Sequence, residues 1–381
     1  MPRLSMSSVR SMLLLVCASA ASAVSAVSAV SAQAETIQLG MSVPLTGNTS
    51  GIGLSYKNGV ELALHQLNKE GGIQGVKVQL LVKDDQYEPE LTVQNTRQFI
   101  IENKVLALLS YVGTPTSAAI LPLLRHYQTP YITPFTGASL LRQPEHSFIY
   151  HLRASYDEET QSQVEYLLTK ADTKVGLLLQ ADEFGASVEQ GYLKALQLKG
   201  ISPAVTARFQ RNSTEIEAGV SELIKAGVEL VFMVGTYKPL AEAISFGRSK
   251  GYRPQYATVS FAGLQQLSAL LDKEDNVMAT MVVPKPTDTK WLLVREYQRL
   301  MIQQATDPLS DVGLEGFTAG TLLGQALKLC PLPIKRLCLL QKLREQSSVF
   351  DFPLSFDPNK QQASQQVFRV KVTDRGVEDV R

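Results

Sequence analysis

Short apolar runs alternate with longer amphipathic segments along the first part of the chain. The apolar runs have the length of buried strands, and the segments between them carry apolar residues at helical spacing. The predicted strands are residues 36–42, 76–82, 105–110 and 130–133. The predicted helices are residues 54–69, 90–102 and 115–127. This order of strand and helix predicts a parallel sheet with helices on both of its faces.

The same alternation restarts after Arg153 and continues to residue 283. The strands predicted there are residues 174–180, 204–208, 230–234, 255–259 and 277–283. The helices predicted between them are residues 156–170, 185–199, 213–226 and 239–250. We therefore predict an α/β protein with two doubly wound parallel-sheet lobes.

The tail of the chain departs from this alternation. Its three predicted helices are residues 289–304, 315–329 and 334–346, and its two predicted strands are residues 350–356 and 367–373. Three helices are too many to complete the second sheet, so we expect them to cover the first lobe. The last strands would then lie beside the hinge or the second lobe. Three crossings between the lobes form a multi-strand hinge, which favours a single opening motion. The predicted boundaries are 35–153 plus 284–348 for the N-terminal lobe and 154–283 plus 349–381 for the C-terminal lobe.

The first residues have the pattern of a cleavable export signal. Two arginines give a basic start, residues 12–16 form a short apolar core, and a run of small residues ends at Ala34. Residues 1–34 are therefore predicted to be a signal peptide, with the mature chain beginning at Glu35, although the Ala-Val-Ser repeats offer other sites upstream. A soluble protein in the periplasm is the expected product.

The net charge and the cysteines limit the possible functions and modifications of the chain further. Removing the signal peptide takes away two arginines and no acid, so the formal net charge changes from +1 to −1. A nearly neutral chain without a long basic stripe gives no support for nucleic-acid binding. Cys17 follows Val16 rather than a small residue, which argues against a lipoprotein. Cys330 and Cys338 remain in an oxidising compartment, where they form either a disulfide or two unpaired core thiols.

Motifs of common enzyme and cofactor sites do not occur in the sequence. It contains no G-x-x-x-x-G-K-[ST] phosphate loop, no G-x-G-x-x-G, no G-x-S-x-G and no H-E-x-x-H. The four histidines, which lack the spacing of metal ligands, are His65, His126, His146 and His151. Asp84 and Asp85 are adjacent on an extended chain and are predicted to serve a turn or a helix cap. We expect no catalysis, no metal and no cofactor.

Two loops at predicted strand ends carry hydroxyl groups and glycines. Residues 105–110 lead into Gly113 and Thr114, and residues 130–133 lead into Thr136 and Gly137. Open α/β sheets bind ligands at the carboxyl ends of their strands. Thr114 is predicted to be a helix N-cap, and the free amides of such a helix start bind carboxylates. Ordinary capping explains either loop alone, whereas two loops on neighbouring strands favour one shared carboxylate site.

The second half places aromatic and hydroxyl side chains at equivalent strand ends. Phe184, Tyr237 and Ser260 each follow a predicted strand, and Tyr156 comes just after the first crossing. Aromatic faces pack on the aliphatic part of a ligand or against an ammonium group. Core packing explains each ring alone, but their recurrence at one edge predicts the lining of a cleft. Because the site is split between the halves, ligand binding is expected to close the lobes.

Several segments, taken in their order along the chain, resemble one known family. They are Val43-Pro44-Leu45-Thr46-Gly47, Asn68-Lys69-Glu70-Gly71-Gly72-Ile73-Gln74-Gly75, Asp84-Asp85-Gln86-Tyr87-Glu88-Pro89 and residues 180–185. With these segments the chain resembles the type I periplasmic binding proteins of branched-chain-amino-acid transport, the leucine/isoleucine/valine-binding family. The resemblance covers essentially the whole mature chain. A subgroup of that family is similar in Gly113-Thr114-Pro115-Thr116, Phe135-Thr136-Gly137-Ala138 and Arg153-Ala154-Ser155-Tyr156.

The resemblance implies where a ligand would be held. The loops at Gly113-Thr114 and Thr136-Gly137 would hold its carboxylate, and Phe184 and Tyr237 would occupy positions of the second lobe that are usually aromatic. The family commonly places an acid for the ligand's ammonium in a loop that here spans residues 259–263 and contains no acid.

That departure leaves two alternatives open. Either Asp182 or Glu183 takes the role of the missing acid, or the ligand lacks a free amine. The fold and the carboxylate site implied by the resemblance are unaffected by this choice.

The implied function is that of the solute-binding component of an ABC transporter. Such a protein would bind a small amino acid or related carboxylate in the periplasm and deliver it, as a monomer, to a membrane permease. A receptor that presents its closed form to a membrane signalling protein would have the same sequence features. Neighbouring genes for a permease and an ATPase, or for a sensor kinase, would distinguish the two. The missing nucleophile and metal motifs argue against a periplasmic enzyme.

Overall fold

The computed structural model describes residues 36–169, 173–273, 275, 277–304 and 308–380. The predicted signal peptide, residues 1–34, lies outside this part of the chain. Among the residues that the structure describes, no helix is both long enough and apolar enough to span a bilayer.

Strands and helices alternate along most of the described chain. The strands are β1 (Ile37–Val43), β2 (Val78–Asp84), β3 (Ala107–Leu109), β4 (Tyr131–Ile132), β5 (Ile149–Tyr150), β6 (Val175–Gln180), β7 (Val205–Phe209), β8 (Leu230–Val234), β9 (Gln255–Thr258), β10 (Val277–Met281), β11 (Ser348–Val349), β12 (Phe352–Pro353), β13 (Phe368–Thr373) and β14 (Gly376–Asp379). The α-helices are α1 (Ser50–Lys69), α2 (Pro89–Arg97), α3 (Thr114–Ala119), α4 (Leu121–Tyr127), α5 (Tyr156–Leu167), α6 (Glu183–Leu198), α7 (Glu217–Ala226), α8 (Tyr237–Ser249), α9 (Leu264–Ser268), α10 (Leu292–Gln304), α11 (Asp311–Lys328) and α12 (Arg336–Arg344).

The first five strands form one sheet in the order β2-β1-β3-β4-β5, and every pair in it is parallel. We call the part of the chain built on this sheet the first lobe. The strand order reverses between β1 and β3, which is the point where open α/β sheets hold ligands. The predicted doubly wound α/β fold is confirmed.

The second sheet has seven strands in the order β14-β13-β10-β9-β8-β6-β7. Strands β6 to β10 pair in parallel, whereas β13 runs antiparallel to both β10 and β14. We call the part built on this sheet the second lobe. The end of the chain therefore extends the second sheet. The predicted strand 350–356 is not one strand, because β11 and β12 form a separate antiparallel pair.

The tail helix α11 packs on α1 in the first lobe, and glycines let the two backbones approach closely. A Cβ atom at Gly59 would lie 2.0 Å from the carbonyl oxygen of Gly313, and one at Gly316 would lie 2.3 Å from that of Tyr56. Both distances are far below any real contact, so these positions require glycine. The lobe boundaries given above stay a prediction.

Two predicted helices differ in the structure. The helix expected over residues 115–127 is divided into α3 and α4, because Pro122 has no N–H for a helical hydrogen bond and its ring crowds the preceding turn. The helix expected over residues 90–102 is α-helical only to Arg97 and continues as a π-helical turn, Gln98–Glu102. Strand β5 was not expected, since two residues are too few to produce a periodic pattern.

The segments that cross between the lobes are bonded to each other. His151, just after β5, donates its backbone N–H to the carbonyl of Gln361 at 2.8 Å. The His151 carbonyl in turn accepts from the N–H of Ala363 at 2.8 Å. Gln362 accepts from the buried guanidinium of Arg142 at 2.7 Å. These bonds couple the first and last crossings, so the two segments are expected to move together when the lobes open.

Candidate functional site

The strands β3 and β4 each end in a residue with unusual backbone geometry. Ser110 follows β3 with φ of +58°, and Thr133 follows β4 with φ of +50°. Both side chains are buried, and their hydroxyls lie 2.9 Å apart. A β-branched residue at positive φ is rare, and such strained positions cluster at functional sites. The two turns send both following loops over the same edge of the sheet.

Those loops bring two threonine hydroxyls together, which we call the hydroxyl pair. Thr114 Oγ1 and Thr136 Oγ1 lie 2.7 Å apart and are buried. Thr136 Oγ1 also accepts from the Ala138 N–H at 3.2 Å and donates to the Tyr156 hydroxyl at 3.4 Å. Thr114 is not the N-cap that was expected: the N-cap of α3 is Gly113, and the threonine side chain points to the neighbouring loop.

The glycines beside the two threonines are required by close contacts. Gly113 has φ of +110°, and a Cβ atom there would lie 2.3 Å from Cε2 of Tyr87. A Cβ atom at Gly137 would lie 2.6 Å from Cδ1 of Tyr156. Each loop is therefore in direct contact with an aromatic ring, and larger residues are excluded at both positions.

Six aromatic rings, each at most 1 % exposed, pack against one another beside the hydroxyl pair. We call them the ring cluster; its members are Tyr56, Tyr87, Phe135, Tyr156, Phe184 and Phe261. The rings of Phe135 and Phe261, which come from opposite lobes, have centroids 5.3 Å apart. Phe261 also lies 4.5 Å from Phe184, which lies 5.5 Å from Tyr156. The cleft is thus lined with apolar faces from both lobes around a small polar centre.

Two of the expected second-lobe residues lie outside this cluster. The Tyr237 hydroxyl accepts the backbone N–H of Gly51 across the cleft at 3.3 Å. The Ser260 hydroxyl donates to Glu159 Oε1 at 3.0 Å and accepts from Arg153. Of the residues predicted to bind a ligand, the structure brings Gly113, Thr114, Thr136, Gly137, Tyr156 and Phe184 to the ring cluster.

A buried ionic cluster lies next to the rings. It is formed by Arg153, Glu159 and Glu315, each less than 5 % exposed. Arg153 comes from the first crossing, and its Nη2 lies 3.6 Å from Glu159 Oε1 in the second lobe, while its Nε lies 3.7 Å from Glu315 Oε1 in the first. The guanidinium also sits 4.5 Å above the ring of Phe135. The ionic cluster therefore connects the hinge, both lobes and the ring cluster.

One guanidinium is shared by two carboxylates, and the acid with fewer donors is the less easily ionised. Glu159 accepts from Ser260 N at 2.8 Å and from Thr280 Oγ1 at 2.6 Å. Within the part of the chain that the structure describes, Glu315 is paired with Arg153 alone. Burial raises the pKa of Glu315 to about 7, against the opposing effect of Arg153. Burial by itself would lower the pKa of Arg153, but the two carboxylates raise it, so the arginine keeps its charge.

Of the two acids that were considered for a ligand's ammonium, Asp182 has other contacts. Asp182 caps α6 by accepting from the N–H groups of Phe184 at 3.0 Å and Gly185 at 3.3 Å, and it also accepts from Gln180 at 2.7 Å. Glu183 occupies the first turn of the same helix. Asp182 therefore has a structural role that occupies its carboxylate.

The adjacent acids Asp84 and Asp85 serve turns, in agreement with their expected role. Asp84 Oδ1 accepts from the N–H groups of Leu45 at 2.8 Å and Gln86 at 2.9 Å. Asp85 accepts from Ser42 at 2.8 Å and from the N–H of Tyr87 at 3.0 Å. These bonds fix the loop that carries the Tyr87 ring against Gly113.

The two remaining cysteines are joined. Cys330 and Cys338 form a disulfide with a Cα–Cα distance of 6.0 Å, within the usual range for such bonds. The bond closes a short loop between α11 and α12, and Gln74 donates to the Cys330 carbonyl at 3.2 Å. Of the two alternatives left open by the sequence, the structure contains the disulfide.

Comparison with known families gives a match over nearly all of the described chain. The model of the family described as periplasmic binding protein matches residues 36–377. The chain belongs to the periplasmic binding protein family. It is thus a member of a family of solute-binding proteins, and the resemblance seen in the sequence is confirmed.

Individual relatives of this periplasmic binding protein are distant. It is 20 % identical over 250 residues to a leucine-, isoleucine-, valine-, threonine- and alanine-binding protein of Pseudomonas aeruginosa, covering 65 % of this chain and 67 % of the relative. It is 26 % identical over 201 residues to Leu/Ile/Val-binding protein homolog 3 of Brucella melitensis, covering 52 % of this chain and 54 % of the relative. The alignments thus span about half to two thirds of these relatives.

A solved structure extends the similarity over the whole fold. The crystal structure of a possible leucine/isoleucine/valine-binding protein from Rhodopirellula baltica is 31 % identical in sequence and superposes with a TM-score of 0.86. The superposition covers 91 % of this chain and 97 % of that one.

Sequence reasoning missed part of the site of this binding protein. Tyr87 and Phe135 lie in segments that were noticed for other reasons, and their rings became recognisable as site residues only once the lobes were placed face to face. Glu159 and Glu315 gave no local signal, because a buried acid on a helix has the same spacing as an exposed one. Phe261 comes three positions after the end of β9, and this place near a strand end was the available signal for it.

Proposed function

We propose that this periplasmic binding protein captures a small carboxylate between its two lobes and delivers it to the permease of an ABC transporter. The observation that carries the proposal is the pair of buried hydroxyls, Thr114 and Thr136, beside the ring cluster to which both lobes contribute. The hydroxyls and the backbone amides beside them are donors for one carboxylate. The rings pack on the rest of the ligand. The protein acts as a monomer, without catalysis of its own.

Two chemical forms of ligand are consistent with the hydroxyl pair: an α-amino acid and a carboxylate without the amine. The relatives named above bind amino acids according to their names. Here the loop after β9 presents Phe261 to the ring cluster, and Asp182 is occupied as a helix cap. An ammonium group among these rings would lose its hydration without gaining a free carboxylate partner. The loop after β9 contains no acid, and the nearby buried acids Glu159 and Glu315 are already paired with Arg153. We propose a carboxylate whose binding does not require an amine.

Thermal unfolding with matched probes tests this function. A ligand present at 100 times its dissociation constant adds about 2.7 kcal/mol to the stability of the folded state. We expect stabilisation by the amine-free carboxylates 4-methylvalerate and 3-phenylpropionate, whether or not their amino-acid counterparts L-leucine and L-phenylalanine also stabilise. Stabilisation by the amino acids alone would show that the amine is required. The corresponding amides, which lack the carboxylate, are the controls. If none of the carboxylates raises the unfolding temperature above its amide, the proposed ligand class is wrong.

Replacing Thr114 by Val is expected to weaken carboxylate binding by about 1–3 kcal/mol, the usual cost of losing a hydrogen bond to a charged group. The methyl group keeps the volume, so the loop is preserved while the donor is lost. Titration calorimetry with the stabilising probe measures the change. Thr96→Val is the matched control, because this buried threonine bonds the Tyr111 hydroxyl outside the ring cluster. Unchanged affinity in both the Thr114 and the Thr136 variants would contradict the carboxylate site.

We further propose that residues 1–34 are removed on export and that the mature protein is free in the periplasm. The basic start, the apolar core and the small residues that end at Ala34 support this. N-terminal sequencing of the exported protein is expected to begin at or near Glu35. A lipid on Cys17, or retention of the apolar segment, would exclude it.

A further inference from the structure

Polar contacts join the two lobes at the rim of the cleft, through groups other than the hydroxyl pair and the ring cluster. We call this set the rim clamp: Asn48, Gln86 and Glu88 of the first lobe with Arg211 and Asn212 of the second. Asn212 Nδ2 donates to Glu88 Oε1 at 2.7 Å and to the Gln86 carbonyl at 3.2 Å. Asn48 Nδ2 donates to the Asn212 carbonyl at 2.9 Å, and Arg211 Nη2 donates to Glu88 Oε2 at 2.8 Å.

Both sides of the rim clamp are presented by tight turns. Asn212 lies in the turn after β7, where Ser213 N–H bonds the Gln210 carbonyl at 3.3 Å. Its φ is +58°, a conformation that asparagine adopts more readily than most residues. Across the cleft, Gln86 has φ of +54° and lies in the turn that Asp84 and Asp85 hold. The clamp therefore depends on backbone geometry that the flanking strands fix.

The clamp also carries complementary charge. Both carboxylate oxygens of Glu88 accept from the second lobe, one from Asn212 and one from Arg211. Arg211 Nη1 lies 3.7 Å from Asp182, the cap of α6. Burial lowers the pKa of Arg211, but Glu88 and Asp182 together raise it above the usual value. Since Arg211 and Glu88 remain partly exposed, water screens the pair, and the contacts act as a set of modest strength.

Contacts of this kind act on the closed form whatever the ligand is. They join protein groups of opposite lobes, so opening the cleft breaks them and closing it restores them. A two-state protein binds its ligand with an apparent affinity proportional to the fraction of the competent state. Stabilising the closed form therefore raises the affinity for each ligand that closes the cleft by the same factor, without contact with the ligand.

Building on the proposed function, we propose that Arg211 and Asn212 are positioning residues for ligand capture: their clamp on Glu88 sets the closed fraction and hence the overall affinity. The hydroxyl pair and the ring cluster determine ligand selectivity. Tyr87 connects the rim clamp to the ring cluster. Its sequence neighbours Gln86 and Glu88 are both in the clamp, and its ring contacts Phe261 and borders Gly113.

The variants Asn212→Gly and Arg211→Ala test the proposal. Glycine accepts the positive φ of residue 212, so the first variant removes the side chain without straining the turn. Calorimetric titrations use L-leucine and 3-phenylpropionate as probes. We expect the dissociation constant of each probe that binds to rise by the same factor, about 3- to 30-fold, as is usual for partly exposed bonds to a charged group. The matched control is Arg208→Ala, which loses a bidentate pair with Glu189 inside the second lobe.

Spin labels report closure without any ligand. They are placed at Glu90→Cys and Glu215→Cys, two exposed positions on opposite lobes. In the free protein we expect the short label distance to be less populated in both variants than in Arg208→Ala. A merely structural role would lower the unfolding temperature without changing that population.

The two proposals can fail separately. If neither probe binds but the short label distance is still less populated in both variants, the proposed ligand class is wrong and the clamp proposal is supported. If the distance populations and the affinities of both variants equal those of Arg208→Ala, the clamp proposal is overturned.

Discussion

Replacing Arg153 by Met is expected to destabilise the folded protein by about 3–5 kcal/mol at neutral pH, the usual cost of removing one partner from a buried ion pair. Arg153 is 1 % exposed and is the shared cation of Glu159 and Glu315. Methionine fills much of the space but leaves both carboxylates without a counter-charge where solvent does not reach. Urea unfolding at pH 7 measures the loss.

A surface arginine provides the control for this variant. Arg208 pairs with Glu189 and is 45 % exposed, so Arg208→Met is expected to change stability by about 0.5 kcal/mol or less. The defect of Arg153→Met is also expected to shrink at pH 5, because a protonated Glu315 no longer needs the cation. A loss below about 1 kcal/mol at pH 7 would contradict the picture of a dry ionic cluster.

The second large effect concerns Glu315 and pH. Its pKa is raised from 4.5 to about 7, by burial first, with the Glu159 and Asp311 carboxylates adding to burial and Arg153 and Arg142 opposing it. Between pH 4.5 and 7 the unfolded chain therefore releases a proton that the folded protein keeps. Stability contributed by the neutral acid is complete below about pH 4.5 and falls as the pH rises to 7, by up to about 3 kcal/mol.

Glu315→Gln removes this titration while keeping the shape of the side chain. We expect the variant to match the wild type near pH 4.5 and to be more stable at pH 7, by about 1–3 kcal/mol. Acids outside the ionic cluster with a raised pKa, such as Asp85 at about 6, titrate in both proteins and cancel in the difference between the two stability curves. The difference therefore reports Glu315 together with its coupled neighbour Glu159. A variant that is less stable than the wild type at pH 7 would show that the ionised Glu315 is needed by Arg153.

The proximity of the two hydroxyls could be predicted from the sequence because of a simple property of parallel sheets. The carboxyl ends of neighbouring strands lie at one edge, so Thr114 and Thr136, which follow β3 and β4, had to come close together. The N-cap assignment of Thr114 was wrong because glycine at φ of +110° takes that position and frees the threonine for the other loop. Capping preference alone does not decide between adjacent candidates.

For the second-lobe residues, the sequence predicted the position at a strand end but not the contacts of each side chain. Phe184 lies in the ring cluster. Tyr237 instead accepts a hydrogen bond from Gly51, and Ser260 donates one to Glu159. All three follow strands of the same sheet, so position at the strand end was common to them. What separated them was the direction of each side chain and the partner offered by the opposite lobe.

The sequence by itself determined the alternation of strands and helices, the family and the loops at the strand ends, because each of these depends on local spacing or residue type. It left the pairing of Cys330 with Cys338 open, and the structure decided it. The tertiary structure alone decided the ionic cluster of Arg153 with Glu159 and Glu315, the ring contacts across the cleft and the rim clamp. Glu315 stands more than a hundred residues from Arg153, and periodicity carries no information at that distance. Such contacts depend on how two lobes meet, and that is fixed by the packing of the hinge and of both surfaces rather than by any single segment.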